Sequence, residues 1–131
     1  MTKIKIKKGK SLKKECDEIW SKIVKLKAGM KSEISGKTES LHSHHIVGKP
    51  NYRLRYEIEN GICLTAGEHF FGIHHAGRQK AYESKIKRVK GKDIYDRLEK
   101  LKGDNSKTNL KLVKIYLQEE LKKCQTTNRE I

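Results

Sequence analysis

The chain has 131 residues, and 31 Lys+Arg against 16 Asp+Glu give it a formal net charge of +15. That length fits one domain rather than two, and no window approaches the roughly 18 apolar residues of a membrane-spanning helix. A mean hydropathy of −0.84 with only 34% hydrophobic residues leaves material for a modest core.

Residues 1–10 read as a basic arm: Met1 to Lys10 alternate weakly, but half of them are Lys. They lack the apolar stretch of a secretory signal, so a cytoplasmic location is expected. From Ser11 the pattern becomes helical. Leu12, Cys16, Ile19, Trp20, Ile23 and Val24 share one face, Ser11 is the candidate N-cap and Gly29 the stop. The middle is rich in Gly and His. Leu41–Val47 and Gly61–Thr65 read as strands around a Gly48–Asn51 loop, and a helix is expected from Glu68 or His69. Three more helices follow, over Ala81–Val89, around Ile94–Leu101 and around Leu110–Leu121, the last capped by Ser106 or Thr108. Residues 125–131 read as a frayed tail. Cys16, Cys63 and Cys124 have no close partner in sequence, which fits neither a disulfide framework nor a CxxC zinc site.

An excess charge of +15 attracts polyanions. A membrane-surface binder would carry a basic amphipathic helix with exposed aromatics. Here the basic residues are spread along the chain and only 6% of residues are aromatic. Nucleic acid is therefore the expected partner, and no membrane is expected.

All six histidines fall between His42 and His75: His42, His44, His45, His69, His74 and His75. Histidine is both the commonest metal ligand and the natural acid–base near neutral pH. Hydrolysis of a phosphodiester needs a base to activate water, a cation to stabilise the phosphate and leaving oxygen, and basic groups to hold the flanking backbone. Adjacent strand residues point to opposite faces, so His44 and His45 cannot both face one ion on a regular strand.

His44-His45, Asn60 and His69, spaced by 15 residues from His45 to Asn60 and 9 from Asn60 to His69, resemble the HNH motif of the ββα-metal (His-Me finger) endonucleases. The string from Leu41 to Phe70 is similar to phage and bacterial members, and the resemblance covers roughly residues 31–75. It implies an α+β fold: a ββα-metal core over about 38–80 inside one nuclease domain of residues 11–124, with a C-terminal helical part over about 81–124. It implies His45 as general base and Asn60 as the brace of the loop between the strands. His44 and His69 are implied as metal ligands. Some members add a ligand four residues further on. Here that place is Ile73, and His74 follows it as a further candidate, although a five-residue step leaves one helix face.

One divalent ion is implied, Mg²⁺ or Mn²⁺ first, with Ni²⁺ or Zn²⁺ also acceptable to imidazoles. Many members carry a structural zinc on two CxxC pairs. The corresponding places here are Ser32, Ser35, Thr65 and Glu68, so no structural zinc is expected. Lys49, Arg53, Arg55 and Arg78 are the candidate phosphate contacts. His42 and His75 are given no catalytic role, and Trp20 is assigned to the core. The expected activity is metal-dependent DNA cleavage to 5′-phosphate and 3′-hydroxyl ends, and a homodimer would ease cutting of both strands. The alternative is a non-catalytic nucleic-acid-binding module on a degenerate HNH scaffold.

Overall fold

Ser11 opens the first helix, its hydroxyl oxygen accepting from the Lys14 amide at 3.2 Å. In the computed structural model, which describes residues 11–73, 77–104 and 106–129, this helix (α1, Leu12–Lys27) buries Cys16, Trp20, Ile23 and Val24. It ends where Gly29 and then Met30 take positive φ, while the Gly29 and Met30 amides fold back onto the Leu26 and Lys25 carbonyls.

Two strands follow, β1 (Leu41–His45) and β2 (Gly61–Thr65), paired antiparallel with His42 opposite Leu64 and His44 opposite Ile62. The first strand was expected to reach Val47. It stops at His45 because the Val47 amide is taken by the Asn60 side chain rather than by a strand partner. All of β2 is buried, since it is covered on both faces. Cys63 packs with Trp20, Val24 and Leu117 on the α1 side, and Ile62 and Leu64 pack with Ile86 on the other. Gly61 is required by that first packing. A Cβ there would lie 2.4 Å from Val24 Cγ2 and 2.8 Å from Trp20 Cζ2, too close for any real side chain.

The chain then makes a π-helical turn (Glu68–Ile73) where an ordinary helix was expected. Such turns are rare and recur at functional sites. Helices α2 (Gln79–Lys90) and α3 (Lys92–Leu101) meet at Gly91, whose φ of 90° makes the corner. Arg97 on α3 bonds to Glu57 and Glu59 and ties this pair to the inter-strand loop.

The last helix, α4 (Leu110–Arg129), packs along α1 with Leu117 fully buried. Its cap is Asn109, whose Oδ1 accepts from the Lys111 and Leu112 amides at 3.1 and 3.3 Å. The expected caps are engaged otherwise: Ser106 bonds to Asp104 through both its amide and its hydroxyl, and the Thr108 hydroxyl donates to the Tyr52 carbonyl. Residues 125–129, expected to fray, continue the helix. The expected arm, residues 1–10, lies outside the described residues. No helix among the described residues is long and apolar enough to cross a membrane.

The fold is thus a small α+β arrangement: a two-stranded hairpin between α1 and α2, with α4 behind α1.

Candidate functional site

Asn60 organises the loop between the strands. It is fully buried. Its Oδ1 accepts from the Val47 amide at 2.7 Å, and its Nδ2 donates to the Val47 and Leu54 carbonyls, both at 3.0 Å. One side chain therefore closes both ends of the 47–54 loop. Two further anchors hold the next turn. Trp20 Nε1 donates to the Glu57 carbonyl at 2.8 Å. The Arg55 guanidinium grips Asp17 through two bonds of 2.8 and 2.6 Å. Such paired charge-assisted bonds fix orientation as well as adding energy.

This clamping corrects the expectation for Arg55. Its guanidinium is buried against Asp17 and is not available to a phosphate. Arg53 is likewise held, by Glu57 at 2.7 Å and Asp104 at 3.7 Å. Lys49 and Arg78 remain exposed. Replacing Asp17 by Ala strands the Arg55 charge and is expected to cost about 2–3 kcal/mol. Denaturant unfolding of Asp17→Ala beside Asp17→Asn measures it, with the Asn variant recovering part of the loss.

The anchored turn presents the Arg55 carbonyl to His45. The distance from His45 Nε2 is 3.0 Å, and since a carbonyl only accepts, Nε2 carries the proton and Nδ1 keeps the lone pair. The ring lies flat on Trp20, centroids 3.9 Å apart and planes within 8°. Burial pushes the imidazolium form down from its ordinary 6.5 to about 4. The Arg55 carbonyl acts in the opposite sense, and the positive charges of Lys49 and Arg55 reinforce burial. The imidazole is therefore neutral throughout the physiological range. It borders an open groove of about 660 Å³ whose walls carry Lys14, Lys22, Lys25 and Lys49 against Asp17 and Glu18.

The opposite face of β1 carries His42 and His44, and the turn after β2 brings His69 to them. His42 Nδ1 and His69 Nδ1 are 3.2 Å apart, their rings nearly perpendicular at 84°. The His44 ring centre is 4.9 Å from that of His69. Thus His44 and His69 lie side by side, while His45 faces the other way. His42, which sequence reasoning set aside, belongs to the cluster. The strand period of two, which puts residues 42 and 44 on one face, was the signal that could have found it. His74 and His75 lie outside the described residues. Among the described residues, no group of three or more His, Cys, Asp or Glu side chains is arranged to hold a metal ion. What His42 and His69 do offer is one pair of ring nitrogens at a spacing that two ligands of a single ion can adopt.

His69 is held in place from below. The Thr65 amide donates to Glu68 Oε1 at 2.8 Å, and the Glu68 amide donates back to the Thr65 hydroxyl at 3.1 Å. This is a reciprocal capping box at the start of the turn. Burial alone would raise the Glu68 carboxyl. The Thr65 amide and the hydroxyls of Ser32, Ser35 and Thr65 outweigh it and hold the carboxyl below its ordinary 4.5. These four residues stand where the resembled motif would carry zinc-binding cysteines, and here hydrogen bonds join them. The Glu68 contribution to stability is present above the ordinary carboxylate value and is lost as pH falls through the lowered one. Glu68→Ala is expected to cost about 1–2 kcal/mol at pH 7 and to flatten the acid limb of a melting-temperature profile between pH 5 and 3.

Comparison with known protein families, curated proteins and solved structures finds no match.

Proposed function

We propose that this chain is a metal-dependent endonuclease of the HNH type acting on DNA. The observation that carries the reading is the joint placement of the motif residues. Asn60 braces the loop, His44 and His69 adjoin on one side of the hairpin, and a neutral His45 lines a lysine-walled groove on the other. Consecutive Cα atoms are about 3.8 Å apart, and β1 is an edge strand of a two-stranded sheet. A phosphodiester lying along that edge can meet His44 from one face and His45 from the other.

His45 Nδ1 takes the proton from a water molecule. The oxygen of that water attacks phosphorus in line, the bond to the 3′ oxygen breaks, and the departing oxygen takes a proton from solvent, leaving 5′-phosphate and 3′-hydroxyl ends. His44 and His69 would hold a divalent ion, which would supply positive charge for the phosphate and the departing oxygen. A base near 4 is weak, but it holds its lone pair at neutral pH, and an adjacent phosphate anion raises its proton affinity. Lys49, Arg78 and the lysines of the groove hold the flanking backbone.

The second reading, a nucleic-acid-binding module without catalysis, is favoured by one observation: the His45 ring is packed between Trp20 and a carbonyl as a structural side chain would be. Supercoiled plasmid incubated with Mg²⁺, Mn²⁺, Ni²⁺ or Zn²⁺ separates the two. The nuclease gives metal-dependent nicked product with 5′-phosphate ends, blocked by EDTA and by His69→Ala. DNA retention on a gel with intact plasmid under every metal favours the binding module.

A further inference from the structure

We infer that the pocket between α1, the inter-strand loop and the segment leading into α4 holds one unpaired nucleobase of a DNA strand. The base stacks on Tyr52, and the strand's phosphates pair with Lys13 and Lys107. The inference rests on the nucleic-acid reading proposed above and adds where an unpaired base goes. The pocket has a volume of about 270 Å³, and its lining includes Lys13, Tyr52, Tyr56, Lys107, Thr108 and Leu110. That is at the lower end of ligand sites, roughly 300–1,000 Å³, and suits one planar ring system.

The walls sort by chemistry. Tyr56 and Leu110 supply apolar surface continuous with the core, and the Tyr56 hydroxyl donates to the Lys13 carbonyl at 3.4 Å. Tyr52 is 53% exposed, yet its backbone is pinned. Its carbonyl accepts from the Thr108 hydroxyl at 3.3 Å, and the neighbouring Asn51 Nδ2 donates to the Lys102 carbonyl at 2.6 Å. An aromatic ring on a fixed backbone loses little freedom when a ligand stacks on it. Among the described residues, the charged ones lining the pocket are both lysines, and Lys13 Nζ lies 5.3 Å from the centre of the Tyr52 ring. A nucleotide answers both features, with a π-face for the tyrosine and a phosphate for the amines. An apolar side chain of a protein partner would leave the ammonium groups without a counter-charge. Neighbouring residues line the His45 groove: Lys14 follows Lys13 on α1, and Lys49 stands on the same loop as Tyr52. Bases of an intact duplex stay stacked on one another, so the pocket selects an unpaired nucleotide.

The test is the affinity of the full chain, in EDTA so that nothing is cleaved, for a labelled single strand of twelve thymidines and for an abasic strand of the same length and charge. Fluorescence anisotropy reads both. The wild-type protein is expected to bind the thymidine strand at least about five-fold more tightly. Tyr52→Ala should bind the two strands alike, and Tyr52→Phe should keep the preference. The melting temperature of Tyr52→Ala should match wild type, because the ring is exposed. Lys13→Ala combined with Lys107→Ala should weaken both strands and make the salt dependence shallower. Equal affinity of the wild type for the two strands, or an undiminished preference in Tyr52→Ala, overturns the inference. Metal-dependent plasmid nicking by the same preparation then leaves the nuclease reading standing. Displacement of the strand by micromolar thymidine monophosphate assigns the pocket to a free nucleotide and overturns it as well. A Tyr52-dependent preference in a protein that cleaves no plasmid upholds the pocket and counts against the nuclease.

Discussion

Asn60→Ala is expected to cost about 3–4 kcal/mol and to lower the melting temperature by more than about 10 °C. The reason is arithmetic of partners rather than of volume. The substitution strands the Val47 amide and the Val47 carbonyl at once, and leaves the Leu54 carbonyl with only the Glu57 amide. Each unsatisfied buried group costs about 1–3 kcal/mol, reduced where water can enter. Asn60→Asp keeps the shape and one acceptor, yet it loses both donors and turns a carboxylate toward two carbonyls. It should be at least as damaging as Ala. Chemical unfolding of the two variants measures this, and a loss under 1 kcal/mol in either would contradict the bracing role. Plasmid cleavage should fail in both, since the 47–54 loop sets the turn that fixes His45.

Trp20→Ala has a comparable expected effect, about 4 kcal/mol, because it empties a fully packed place in the core. It also has a consequence that a core deletion elsewhere would not have. Burial is the largest cause of the low His45 value, and Trp20 covers one face of that ring. The imidazole should therefore titrate nearer its ordinary 6.5 in the variant, which proton NMR of the ring reads directly. In the wild-type protein the neutral, buried His45 stabilises the fold fully above 6.5, and that contribution is lost as pH falls toward 4. Trp20→Phe keeps much of the stack but removes the bond to the Glu57 carbonyl. It should cost about 1 kcal/mol beyond the packing change and should leave His45 low. A His45 that titrates near 4 in Trp20→Ala would refute this account of its environment.

The helices were legible because their apolar residues recur at the helical period and Gly or Ser marks their ends. Ser11, Gly29 and Gly91 act in the structure as their residue types suggest. What escaped was decided by contacts distant in sequence. Three residues able to cap α4 stand within four positions, and local rules do not choose among them. The choice falls to Asn109 because the Thr108 hydroxyl finds the Tyr52 carbonyl, 56 residues away. Arg55 reads as a surface cation until Asp17, 38 residues upstream, is brought beneath it.

The site shows the same division. Asn60 was singled out by the resemblance, whereas Asn60-Gly61 alone reads only as a turn, and its bonds to Val47 and Leu54 supply the physical content of the brace. The strand alternation that separates His44 from His45 was also readable. Its other consequence, that His42 shares a face with His44, follows from the same period and went unused. The positions left without zinc cysteines illustrate a further limit. Ser32, Ser35, Thr65 and Glu68 reveal what they do instead only once the turn brings them together.

The central claim is that His45 does chemistry on a bound phosphodiester rather than merely filling the space beside Trp20. The most direct measurement is plasmid cleavage by His45→Ala alongside its DNA affinity, with the unfolding free energy of the variant as control. The account predicts cleavage reduced at least 100-fold, as expected for loss of a general base, with DNA affinity within about three-fold of wild type because the lysines carry the backbone contacts. Cleavage equal to wild type in a folded His45→Ala protein would contradict it.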